Sequence, residues 1–187
     1  VEPPPSGPQG HLTATTRVGN ELVAIIDVEK VLADVVGNPP GLSEGLRARF
    51  DGMPIGGKRA LVADDSKVAR TQIERVLGEL GVPCTTVANG REALRYLQGI
   101  ADRGVKPEDE LLMLISDVEM PDMDGYRLTT EIRRDPRLAG LYVMLHSSLS
   151  GAFNNTMSAK VGANRFVPKF SADDLAEGVL QRLELMA

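Results

Sequence analysis

A chain of 187 residues that is 42% hydrophobic and 25% charged has the makeup of a folded soluble protein, with apolar side chains enough for one ordinary core and an appendage. The net charge of −5 argues against the basic face that nucleic acid requires, and no apolar run approaches the roughly 18 residues of a membrane span. The single cysteine, Cys84, sits in the apolar run 82–87; it excludes an internal disulfide and fits a core position in a reducing cytoplasm.

The chain opens on VEPPPSGPQG, which has no signal-peptide character, and its first residue is Val, so a piece of a longer protein is expected. Leu12, Ala14, Thr16 and Val18 alternate with polar positions, Gly19-Asn20 follows, and Leu22, Ala24 and Ile26 alternate again. This pattern predicts a hairpin with a two-residue turn. Asp27 then suits the cap of a helix over 28–36, with Val28, Val31, Leu32 and Val35 on one face. A unit this small buries too little surface to stand alone, so 1–36 reads as the tail of a larger domain.

Residues 37–57 hold six glycines and three prolines, a composition that predicts a flexible linker. Beyond it, short apolar runs at 60–63, 84–87, 111–116, 141–145 and 165–167 alternate with helical stripes. Val68, Ile73, Val76, Leu77 and Leu80 mark the first helix, which Gly81 closes; Ala93, Leu94 and Leu97 mark the second. Leu128 and Ile132 mark the third, Phe153, Met157 and Val161 the fourth, and Leu175, Val179 and Leu183 the fifth, with Ser171 and Asp174 as its capping signal. Five strand-then-helix units predict an α/β fold, a five-stranded parallel doubly wound sheet over 58–187.

In such sheets ligands bind beyond the carboxyl ends of the strands. The first strand ends in Asp64 and Asp65, the third in Asp117, the fourth leads into Ser147, and the fifth into Lys169. If the first and third strands are neighbours, three carboxylates converge, and their repulsion demands protons or a cation. Magnesium fits, being hard and oxygen-seeking and content with one or two carboxylates. A cation, a hydroxyl and an ammonium around one carboxylate are what neutralises an incoming phosphoryl group. Each group alone is an ordinary strand end; the conjunction is what points to a site.

Residues 58–187 resemble a response-regulator receiver domain, through VADDS at 62–66, Asp117 with MPDMDG at 120–125, Ser147, and VGANRFVPK at 161–169. The resemblance implies a flavodoxin-like strand order of 2-1-3-4-5. It further implies that Asp117 accepts phosphate from a sensor histidine kinase, that Asp64, Asp65, Asp117 and the Glu119 backbone carbonyl hold magnesium, and that Ser147, Lys169 and the switch aromatic Phe166 respond to the phosphate. Two departures stand out: Phe170, not proline, follows Lys169, and His146-Ser147-Ser148-Leu149 replaces the usual Thr-Ala pair, where the family spacing from Asp117 selects Ser147 with Ser148 as the competing hydroxyl. HLTATTRVGNELVAIIDVEKVLADV is similar to the end of a CheW-like coupling domain as found in CheV-type chemotaxis proteins, and LHSSLSGAFN at 145–154 also resembles their receivers.

The expected function is therefore a cytoplasmic, phosphorylatable chemotaxis adaptor, not an enzyme acting on external substrates. Its implied partners are a CheA-type kinase and, through the CheW-like part, chemoreceptors, with no nucleic acid and no membrane insertion. The alternatives are the receiver of a transcriptional or other response regulator and a magnesium-dependent aspartyl-phosphate phosphohydrolase. Bland readings cover the remainder: His11 as a strand start, His146 as a packed or hydrogen-bonded side chain, Arg133-Arg134 as a helix end.

Overall fold

The computed structural model describes residues 12–19, 21–26, 31, 41–50, 53, 55–148, 152–169 and 171–186. The chain divides into two compact units, residues 1–39 and 40–187. In the first, β1 (Leu12–Val18) and β2 (Glu21–Ile26) pair antiparallel, Val18 opposite Glu21, with an irregularity between Leu12 and Ala14. The alternation of apolar residues about Gly19, whose φ is +64°, is the hairpin the sequence predicts. Asp27 and most of the expected helix over 28–36 lie outside the described residues.

The second unit is built on five parallel strands in the order β4-β3-β5-β6-β7: β3 (Arg59–Ala63), β4 (Cys84–Val87), β5 (Leu111–Asp117), β6 (Val143–Ser147) and β7 (Arg165–Pro168). Side chains of a strand alternate between faces. Ala60 and Val62 accordingly enter one core with α2 (Lys67–Glu79) and α7 (Ala172–Glu184), while Leu61 and Ala63 enter the other with α3 (Gly90–Ala101) and α5 (Gly125–Arg134). β5 lies in the middle and is buried along its whole length, which is why its sequence reads LLMLIS without alternation. α6 (Ala152–Val161) precedes β7.

The caps are those the side chains suggest. Ser171 accepts from the Asp174 N–H at 3.3 Å at the start of α7. Gly81, at φ +72°, ends α2, and the following Val82 N–H reaches back to Leu77 O at 2.8 Å.

Three segments depart from the sequence reading. β6 runs over Val143–Ser147 instead of 141–145, because the Leu141 N–H is already spent on Leu138 O in the preceding turn. α4 (Pro107–Glu110) is a single turn too short to show a period. The third is the expected linker. Within it α1 (Glu44–Phe50) forms, and Leu42, Leu46, Phe50, Met53 and Ile55 pack onto the α2/α7 core. Leu42, Leu46 and Phe50 recur at helical spacing, a stripe that the surrounding glycines and prolines mask.

Gly125 opens α5 directly against the end of β5, where a Cβ would lie 2.2 Å from the Asp117 carbonyl oxygen. Two backbone segments cannot move apart cheaply there. Gly125→Ala is expected to cost about 2–4 kcal/mol in urea unfolding; a loss below about half a kcal/mol would show that this loop yields freely.

Candidate functional site

All five strands point their carboxyl ends to the same edge, and the sequence places a polar group at four of those ends. Asp64 follows β3 directly and is fully buried. Its Oδ1 accepts from the Ser66 N–H at 2.8 Å, while the Ser66 hydroxyl caps α2 by accepting from the Ala69 N–H at 3.3 Å. The Arg70 guanidinium donates to the Asp64 main-chain oxygen at 2.5 Å. One carboxylate is thereby fixed to the first turn of a helix, with Asp65 beside it and exposed.

Asp117 ends the central strand and is 2% exposed. It sits in register with His146 on β6, and the Val118 N–H donates to the His146 carbonyl at 3.0 Å. Ser147 is the last residue of β6 and is buried; its carbonyl accepts from the Lys169 N–H at 2.9 Å. That contact delivers the Lys169 ammonium to 2.9 Å from Asp117 Oδ2 and 3.3 Å from Asp64 Oδ2.

Two buried carboxylates thus share one ammonium. Burial pushes the Asp117 carboxyl up to about 7; the Lys169 charge and hydrogen bond oppose it, the Asp64 charge adds to it, and the Glu119 backbone N–H opposes it weakly. His146 Nε2 lies 3.4 Å from Asp64 Oδ2, an arrangement that favours imidazolium. Burial outweighs that contact and, with the Lys169 charge, pushes the imidazole down to about 3, so the ring is neutral at physiological pH.

The donor set suits a hard divalent ion. Asp64, Asp65 and Asp117 each offer a carboxylate oxygen within 4.8 Å of the others. Asp117 Oδ1 is buried and takes no hydrogen bond among the described residues, so its lone pairs suit a cation ligand.

The structure therefore gathers Asp64, Asp65, Asp117, Ser147 and Lys169 at one sheet edge, as the sequence leads one to expect. Phe166 lies in β7, partly buried against the α3/α5 core, and Glu119 is exposed two residues beyond β5. Phe170, and with it the geometry of the Lys169-Phe170 bond, lies outside the described residues. Sequence reasoning missed two things: that Lys169 pairs with Asp64 as well as Asp117, and that His146 is buried against Asp64. The second depends on the order of β3, β5 and β6 in the sheet, which no local sequence pattern carries. Among the described residues no helix is long and apolar enough to cross a membrane.

Known proteins bear on this geometry. Chemotaxis protein CheV3 of Helicobacter pylori is 31% identical over 178 residues, covering 93% of this chain and 55% of its own length. The chain spans about half the length of the curated relatives of this kind that it matches. The signal receiver domain of a signal transduction histidine kinase from Syntrophus aciditrophicus superposes with a TM-score of 0.57 at 31% identity, covering 68% of this chain and 90% of that one. The receiver domain of the histidine kinase CKI1 from Arabidopsis thaliana, solved complexed with Mg2+, gives 0.58 at 28% identity, covering 67% of this chain and 91% of that one. The family model described as response regulator receiver domain matches residues 60–179, so this chain belongs to the response regulator receiver family.

Proposed function

We propose that the chain is the phosphorylatable receiver portion of a chemotaxis signalling adaptor, taking phosphate on Asp117 from a histidine kinase and using it to modulate coupling between chemoreceptors and that kinase. The observation that carries the reading is the Asp64, Asp65 and Asp117 cluster within 4.8 Å, with the Lys169 ammonium 2.9 Å from Asp117. The chemotaxis assignment rests on the relative from Helicobacter pylori, whose match extends over 93% of this chain and so beyond the receiver. A CheW-like character for the hairpin unit and a cytoplasmic setting belong to the same proposal.

In the transfer, an Asp117 carboxylate oxygen attacks the phosphorus of a phosphohistidine; the new O–P bond forms as the N–P bond breaks, and the imidazole keeps the electron pair. Lys169 neutralises the phosphoryl oxygens, the Ser147 hydroxyl grips one of them, and Phe166 packs behind Ser147 as it turns. Asp65, Asp117 and the Glu119 carbonyl oxygen would hold magnesium, with Asp64 assisting. Bound magnesium supplies positive charge to the phosphoryl oxygens as they arrive. Hydrolysis returns the carboxylate and inorganic phosphate, so the protein turns over only its own phosphate.

The test mixes the chain with an autophosphorylated CheA-type kinase and magnesium, and mixes full-length protein with receptor and kinase. Phosphate is expected to move to the chain, and the full-length protein to sediment with the receptor-kinase complex. Absence of transfer removes the receiver function; transfer without co-sedimentation removes the coupling function. Sustained turnover of an external phosphomonoester would favour a phosphohydrolase instead. Because Asp65 is exposed, Asp65→Ala leaves the core intact and is expected to weaken magnesium binding on the order of tenfold or more. Unchanged affinity in a metal titration would take Asp65 out of the site.

A further inference from the structure

Residues 41–50 touch the two helices that the charged site anchors. Ser43 donates its N–H to Asp173 Oδ1 on α7 at 3.0 Å, and Arg49 pairs with Glu177 at 2.8 Å and Glu184 at 3.4 Å on the same helix. Arg47 pairs with Glu79 on α2 at 2.8 Å. Beneath these contacts Leu42 is buried, and Leu46, Phe50, Met53 and Ile55 pack on a core built by Ile73, Val76, Leu77, Leu175, Val179 and Leu183. The exposed ion pairs contribute little individually, but together they fit one relative placement of α2 and α7.

The site fixes that placement from the other end. α2 starts from Ser66, which Asp64 Oδ1 holds, and Arg70 on its first turns binds the Asp64 carbonyl. α7 starts from Ser171, two positions after Lys169. The 3.3 Å contact between Lys169 and Asp64 is therefore a tie between the beginnings of the same two helices. An acyl phosphate on Asp117 puts new anionic oxygens in front of Lys169, and an ammonium that turns to meet them gives up its share of Asp64.

We propose that residues 41–50, with Met53 and Ile55, are the receiver's own docking segment on the α2/α7 face, and that phosphorylation of Asp117 weakens this docking by breaking the tie between Lys169 and Asp64. The proposal rests on the phosphoryl-acceptor reading above and gives it an output: the chain between the hairpin unit and the receiver changes state with phosphate. By reciprocity, loosening the segment favours the phosphorylated form.

The test is hydrogen exchange of the whole chain, with magnesium, before and after acetyl phosphate, with intact mass reporting the phosphoryl group. Amides of 41–50 are expected to exchange about fivefold faster or more in the phosphorylated protein, the low end of usual coupling factors. Asp117→Asn should show no such change. Arg49→Ala, at an exposed position remote from the acceptor, should reach a higher phosphorylated fraction than the parent chain. A mass gain with unchanged or slower exchange at 41–50 overturns the coupling alone. No mass gain overturns the acceptor reading and the coupling with it.

Discussion

Asp117→Asn is expected to abolish magnesium-dependent phosphate uptake, with a fall on the order of a thousandfold or more from either acetyl phosphate or a phosphorylated kinase. The three clustered acids are not equivalent. Asp64 has Oδ1 committed to the Ser66 N–H and Oδ2 facing both Lys169 and His146. Asp65 is exposed, whereas the Lys169 ammonium pairs with Asp64 and Asp117. Asp117 alone combines a carboxylate oxygen 2.9 Å from Lys169 with a second oxygen, Oδ1, that takes no hydrogen bond among the described residues. A neutral carboxamide has neither the charge to hold the ion nor an oxygen nucleophilic enough to attack phosphorus. Radiolabel retained above about a tenth of the parent level would move the acceptor elsewhere, and peptide mass would locate it.

What the sequence discloses about such a site depends on where the information resides. β3 and β5 are legible because each is an apolar run that ends in acid, and a parallel sheet turns that linear fact into a shared edge. The strand order is legible only through the family resemblance, since no pattern within a strand says which strand lies beside it. His146 shows the limit: as one histidine after an apolar run it is unremarkable, and its 3.4 Å approach to Asp64, which follows a strand two places away in the sheet, is a tertiary fact that no local pattern carries. The 37–57 segment fails for a different reason. Its glycine and proline content is a local property, whereas the order of α1 comes from tertiary burial of Leu42, Leu46 and Phe50 on a core shared by α2 and α7, and α7 lies over 100 residues later in the chain, as the Ser43 to Asp173 contact at a separation of 130 shows. β6 is displaced by two residues because a turn, not hydrophobicity, decides where its ladder begins.

The site's electrostatics carry the second large effect, on stability. Burial raises the folded-state value for Asp117 to about 7, above the roughly 4 of an unfolded carboxylate. A group raised on folding contributes most below its unfolded value, and that contribution is lost as pH rises through the folded one. In metal-free buffer, then, the protein should lose stability between about pH 4 and pH 7 on account of this group, as a second negative charge is forced into a buried pocket with one ammonium. Asp117→Asn removes that charge while keeping the shape, and should be the more stable protein at pH 8 by up to about 4 kcal/mol. Magnesium narrows the gap between the two. At about a hundred times its dissociation constant it should stabilise the parent by about 2.7 kcal/mol, and the asparagine variant, lacking a charged ligand, by much less. Calorimetry across pH with and without magnesium separates these effects. If the asparagine variant melted below the parent at pH 8 without metal, the carboxylate would be a net stabiliser there, and its pairing with Lys169 would outweigh its burial.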